Sequence, residues 1–217
     1  MNLLVGLFVG GSGSRMGGAA KGLLEAPGVA KGLLEAPGVA KGLLEAPGGA
    51  LTLLERLLQQ TQSALPEARA VLVGDASAYA RLELGLTALA DEPEGVGPLG
   101  GLIALLAYAE RAGARHVLAL ACDLPYLEQT LIARLACESL DADALVAAQQ
   151  SLKNPLIARY RVEPALAAAR LTLAAGRRSL QAVLDRLQPR VALLELGADE
   201  EASLDDWDTL SAVTRAR

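Results

Sequence analysis

The sequence predicts one α/β domain, a three-layer, Rossmann-like arrangement with a mostly parallel sheet and helices on both faces. Three observations predict it. Apolar runs of strand length alternate with longer segments of helical periodicity along nearly the whole chain. A glycine-rich stretch, Gly10 to Gly18, follows the first of those runs, at the kind of strand end where open α/β sheets hold ligands. The length of 217 residues suits a single core, because chains usually divide only beyond roughly 250 residues.

The elements follow in order. LLVGLFV at the start reads as a buried strand, and GGSGSRMGG after it as a loop. Next stand three tandem decapeptides: KGLLEAPGVA from Lys21 and again from Lys31, then KGLLEAPGGA from Lys41 to Ala50. A ten-residue period matches no common solenoid unit, so the repeat reads as a duplication that adds twenty residues to an ordinary domain. LTLLERLLQQTQ (51–62) has helical spacing, AVLVG (70–74) and LTALAD (86–91) have strand character, and GPLGGLIALLAYAERA (97–112) is a helix with Pro98 in its first turn. HVLALACD (116–123) is a strand, and a helix follows from about Tyr126 to Cys137. ALVAAQ (144–149) and PLIARYR (155–161) read as further strands, and PALAAARLTLAA (164–175) and RSLQAVLDRL (178–187) as helices. RVALLEL (190–196) reads as another strand, and DDWDTLSAVTRA (205–216) as a closing helix. No stretch is rich enough in Pro, Ser or charge to separate a second domain, so residues 1–217 form one unit with the repeat inserted at 21–50.

Composition excludes several classes. With 52% hydrophobic and 21% charged residues the chain can bury a core without cross-links and is not a disordered segment. The net charge of −5 argues against a nucleic-acid surface. No run approaches the roughly 20 apolar residues a bilayer crossing needs. The N-terminus lacks a basic leading region and runs straight into the glycine stretch, so it reads as a strand and not a signal peptide, which gives a cytoplasmic protein. Cys122 and Cys137 have no metal-ligand spacing and read as free thiols.

The chemistry-bearing residues cluster after predicted strands. Glycines at 10, 11, 13, 17 and 18 allow backbone N–H groups to approach an anion, although such clusters also make plain flexible loops. Arg15 offers a planar fork and Lys21 a mobile ammonium, both suited to phosphate. Asp123 ends a strand, where a carboxylate can hold Mg2+ against phosphates or simply cap a helix. Gly97-Pro98 reads locally as a helix start. His116, the sole histidine, stands far in sequence from other ligands and reads as structural.

The segment FVGGSGSRMGGAAKGLLEAPG resembles the LAGGxSxRMGxxK signature of the molybdenum cofactor guanylyltransferases and related nucleotidyltransferases, with Val9 in place of the usual Ala. Asp91 followed by GVGPLGGL is similar to the family's Asp-x(n)-GPLxGL segment, and CDLPYL at Cys122 to Leu127 to its CDxPYL motif. The resemblance implies transfer of GMP from GTP to molybdopterin cofactor with release of pyrophosphate, Mg2+ as cofactor, and contacts with apo-molybdoenzymes. It implies nucleotide binding at Phe8, Val9, Gly10, Gly11, Lys21, Asp91, Gly97 and Asp123. It further implies catalytic roles for Arg15, Lys21 and Asp123, and metal binding at Asp123 and Asp205, the latter through a degraded match to N-x-N-T-P-E-E-L. Lys153 and Asn154 resemble the family's (H/N)P strand start beside the pterin, and Arg177 and Arg178 an element facing the pterin phosphate. Gly74 stands where the family usually has Asn near the base, a departure that leaves CTP, or another phosphorylated acceptor, as the alternative. A cofactor-binding protein without turnover is the rival of a different class. The spacing RMGGAAK selects Lys21 over Lys31 and Lys41 as the acting lysine, with Lys41 acting instead if the register slips.

Overall fold

A computed structural model of the chain describes residues 2–9, 51–124, 126–149, 152–197, 200–201 and 204. The decapeptide repeat, Gly10, Gly11, Arg15, Lys21, Asp205 and the C-terminal helix expected over 205–216 lie outside the described residues.

Seven strands make one sheet in the order β3-β2-β1-β4-β6-β5-β7. The strands are β1 Leu3–Phe8, β2 Arg69–Val73, β3 Thr87–Leu89, β4 His116–Ala121, β5 Ala144–Gln149, β6 Leu152–Arg161 and β7 Val191–Leu194. The helices are α1 Leu53–Ala64, α2 Pro98–Arg111, α3 Gln129–Cys137, α4 Val162–Ala174 and α5 Leu180–Leu187, with a 3-10 turn at Ser77–Leu82. β1 is buried along its whole length, which is why its sequence is apolar throughout and not alternating. Its side chains still divide by face. Leu4 and Phe8 join the core under α2, α4 and α5, while Leu3, Val5 and Leu7 join the core under α1 and α3, as the two-residue period of a strand requires. Gly6 lies directly beneath Leu105 of α2, in space that a Cβ would fill.

Local signals account for most of the boundaries. Thr52 caps α1 through a capping box: its Oγ1 accepts from Glu55 N at 3.2 Å, and Thr52 N donates to Glu55 Oε2 at 2.9 Å. α2 begins at Pro98, whose missing N–H is not needed in a first turn. The helix expected from Tyr126 starts three residues later, at Gln129.

Four of the six strand pairings among the described residues are parallel, and β6 is antiparallel to both its neighbours. The reason is length, since two residues separate Gln149 from Leu152 and only a hairpin can be closed so briefly. β6 also contains Pro155, tolerated because the β5–β6 register shifts between Val146 and Ala148, so that no ladder bond from position 155 is demanded there.

One polar side chain is wholly buried in the α3 layer. Arg159 of β6 donates from Nη1 to the carbonyls of Leu135 and Ala136 at 3.2 Å and of Glu138 at 2.6 Å, and from Nη2 to that of Ser139 at 2.6 Å. The first three carbonyls belong to the end of α3 and its cap, where the helix dipole is negative, and that of Ser139 lies just beyond. Burial pushes the Arg159 pKa down, and the four carbonyls offset that desolvation. Arg159→Ala should therefore lower stability in chemical denaturation by about 3 kcal/mol, the scale of a broken buried charged network.

Candidate functional site

β1 stands where the strand order reverses: β2 and β3 lie to one side of it and β4 to the other. In a doubly wound sheet this reversal opens a crevice at the carboxyl ends of the two central strands, because their connections leave towards opposite faces. α1 and α2, the helices that follow β1 and β3, accordingly pack against opposite faces. The crevice is bounded by Phe8 and Val9 on one side and by Ala121, Cys122 and Asp123 on the other. Cys122 N donates to Phe8 O at 3.2 Å, carrying the ladder one step past β4 and fixing the backbone just before Asp123. Val9 N donates to Val73 O at 3.0 Å, and Gly74 N to Leu89 O at 2.9 Å. These strand ends are therefore set in one row. Phe8, Val9 and Cys122 are buried, and Asp123 is half-buried at the rim.

Asp91, just beyond β3, is brought to the same end by α2. A Cβ on Gly101 would stand 2.9 Å from Val73 Cγ1 and 3.1 Å from both Asp91 Oδ1 and Phe8 Cε1. A Cβ on Gly100 would stand 2.7 Å from Pro93 O and 3.1 Å from Asp91 Cβ. The GG of GPLGGL is thus the spacing that lets the first turn of α2 close down on β1, β2 and Asp91. Gly97, the N-cap, has φ +71 and ψ −151, a conformation essentially reserved for glycine. Glu92 N donates to Gly100 O at 3.1 Å, holding residues 92–97 against the helix start. Burial, then the nearby Glu94 carboxylate, raises the Asp91 pKa.

The remaining expectations fall as follows. Because β6 runs antiparallel, its beginning, with Lys153 and Asn154, lies at the carboxyl end of the parallel strands. Asn154 Oδ1 accepts from Leu156 N at 3.2 Å. Arg178 Nη1 donates to Gly95 O at 3.3 Å, tying the α4–α5 connection to the segment after Asp91, while Arg177 stands 3.9 Å from Asp185 on the surface. Gly74, with φ +100, is buried at the end of β2. His116 is at the opposite end of β4. Cys122 is buried and Cys137 exposed, both as free thiols.

Three long-range contacts had no signal in the sequence. Tyr79, buried in the 3-10 turn, has its hydroxyl 3.5 Å from Val9 O. Arg134 of α3 binds Glu200 at 2.5 Å and Glu138 at 2.7 Å, and these bonds raise the Arg134 pKa and lower that of Glu200. Gln149 Nε2 donates to Glu201 O at 3.0 Å, which brings residues 200–201 to the carboxyl end of β5. Neither a lone Tyr nor an Arg separated from its partner by 66 positions forms a local pattern.

Fold and site together define a doubly wound α/β domain that gathers Asp91, Asp123 and two strand ends at the edge where such sheets hold ligands. Residues 6–191 match the MobA-like NTP transferase domain, and the chain belongs to that family. It is 30% identical over 154 residues to a molybdenum cofactor guanylyltransferase of Shewanella sp. (strain MR-4), covering 70% of this chain and 64% of that protein. It is 37% identical over 137 residues to a probable molybdenum cofactor guanylyltransferase of Chloroflexus aggregans, covering 62% of each. The matches thus span a little under two thirds of these relatives. In fold the chain is similar to molybdopterin-guanine dinucleotide biosynthesis protein A from Archaeoglobus fulgidus, with a TM-score of 0.68, 21% identity, and 98% and 95% of the two chains covered.

The raised pKa gives Asp91 a signed effect on stability. A carboxyl held above its ordinary 3.8 favours the fold below that pH and loses this contribution as pH rises through the folded value. Asp91→Asn should be more stable than the parent in urea at pH 7, and the difference should vanish at pH 3.

Proposed function

We propose that the protein is a Mg2+-dependent nucleotidyltransferase of the cytoplasm that transfers GMP from GTP to molybdopterin cofactor and releases pyrophosphate. The observation that carries this reading is the position of Asp123 beside Phe8 and Val9, at the reversal of strand order. The curated relatives, whose names specify guanylyl transfer, support the choice of substrates.

The residues present suit Mg2+. Among the described residues no three His, Cys, Asp or Glu side chains form a group able to hold a metal alone, and Mg2+ typically takes one or two carboxylates and completes its shell with substrate phosphates and water. Asp123 would hold it, with Asp205 as the second carboxylate. Bound there, the ion offsets charge on the triphosphate.

The chain's own groups do the rest. Gly10 and Gly11 offer backbone N–H groups to the phosphates, and Arg15 and Lys21 supply cations. Asp91 and Gly97 contact the nucleoside. A phosphate oxygen of the acceptor forms a bond to the α-phosphorus, the bond from that phosphorus to the bridging oxygen breaks, and pyrophosphate leaves. Such chemistry needs alignment and charge stabilisation but no covalent enzyme intermediate. Lys153, Asn154, Arg177 and Arg178 face the pterin side, from which the product passes to an apo-molybdoenzyme.

Pyrophosphate release with Mg2+ and each of GTP, CTP, ATP and UTP, with and without molybdopterin cofactor, tests this. Cofactor-dependent release with GTP alone is expected. Release with CTP instead would follow the departure at Gly74 and move the base assignment, whereas GTP binding with no release from any nucleotide would mean a binding protein. Asp123→Asn should lower the GTP-dependent rate by about a hundredfold or more, the usual scale for losing a group that stabilises the reacting charge.

We also propose that residues 21–50 are an insertion within one domain spanning 1–217, with Lys21 as the acting lysine. Long insertions add little closure entropy. Deleting residues 31–50 should leave stability within about 1 kcal/mol and preserve turnover, as read by urea denaturation and pyrophosphate release.

A further inference from the structure

At the end of the sheet opposite the ligand crevice, a cavity of about 590 Å³ opens where β4 begins and β6 ends. His116 and Arg161 face each other across the β4–β6 ladder, and both line this cavity together with Arg115. The His116 Nε2 is buried and has no hydrogen-bond partner. A buried polar atom left in that state is costly, and a charge held in the adjoining cavity acts on it through space. Arg115 is fixed by its backbone on two sides: its N–H donates to Asn2 O at 3.0 Å, and its carbonyl accepts from Val162 N at 3.0 Å.

The charges here do not cancel at the imidazole. Asp143 is shared between Arg161, at 3.2 Å, and Arg190, at 3.0 Å, so one carboxylate serves two guanidinium groups. Burial, followed by the positive charges of Arg159, Arg161 and Arg115, holds the His116 pKa down, and no carboxylate opposes them. An anion held in the cavity beside the ring would reverse that balance. Glu110 and Glu163 also line the cavity, and their charge disfavours a polyanion such as a nucleoside triphosphate.

We propose that this cavity is a binding site for a small oxyanion, a phosphate or carboxylate group, held by the guanidinium groups of Arg115 and Arg161 beside the His116 ring. A guanidinium has five N–H donors, so Arg161 can keep Asp143 and still serve a ligand. His116 opens β4 and Asp123 lies just past its other end at Ala121, so the strand alone sets the two roughly 17 Å apart at the usual rise. The site is therefore spatially distinct from the nucleotide crevice and does not rest on the reading of that crevice.

His116 is the only histidine, so its ring resonances report on this cavity alone. The full chain would be titrated by NMR with inorganic phosphate and, separately, with acetate, at ionic strength held constant by chloride. The expected result is a saturable shift of the His116 ring signals with at least one anion, accompanied by a rise in the His116 pKa. Arg115→Ala should weaken that binding about tenfold or more, the equivalent of one charged contact, and Glu110→Gln should tighten it. Saturation by phosphate alone identifies a phosphate ligand, and by acetate alone a carboxylate. Shifts that grow linearly with both anions, or an affinity unchanged in both variants, would overturn the proposal.

Discussion

The close seating of α2 on the centre of the sheet is the constraint on which the rest depends. Leu105 lies over Gly6 of β1, and Gly101 touches Phe8, Val73 and Asp91 at distances that admit no side chain. Gly6 and Gly101, with Gly100 against Pro93 and Asp91, thus set how far the helix descends onto the sheet and, with it, where its amino terminus points. Asp91 is carried to the rim of the crevice because it packs on that same first turn. Larger residues at these points would lift the helix, and the loss would be felt at Asp91 before it was felt in the remainder of the core.

The strand pattern was legible in the sequence because parallel strands buried on both faces must be apolar throughout, and LLVGLFV and the VLALA of β4 are. Strand direction was not. ALVAAQ and LIARY look the same whichever way they run, and only the brevity of the link between them excludes a crossover. The start of α3 was misjudged because Pro125 and Tyr126 fit a first helical turn, whereas the chain waits until Gln129, whose N–H donates to Gln60 of α1 at 3.2 Å. That bond joins residues 69 positions apart and leaves no trace in local sequence.

The candidate site divides in the same way. Asp123 was recognisable from its place at a strand end, since the position itself carries the chemical argument. Asp91 was not, because its importance comes from Gly100 and Gly101, which on local rules belong to an ordinary helix; only the likeness of GPLGG to a known motif singled it out. Arg159, the most deeply buried charge among the described residues, was invisible for the opposite reason. It sits in an apolar run, and its partners are backbone carbonyls, which every residue possesses.

Electrostatics connects the site to the composition. A chain of net charge −5 that gathers Asp91, Glu94 and Asp123 at one edge of its sheet is poorly suited, by those groups alone, to receive a triphosphate. The pKa of Asp91 is raised partly by Glu94, so the carboxylates already oppose one another before any ligand arrives. The positive end of α2 eases this, being worth roughly half a charge over its first turn, but it cannot balance several phosphate charges. A nucleotide site of this composition therefore requires cations brought to it, and under the proposed function Arg15, Lys21 and Mg2+ supply them. Under that reading the acidic edge would disfavour the free triphosphate more than its metal complex, because the metal removes part of the charge that the carboxylates repel.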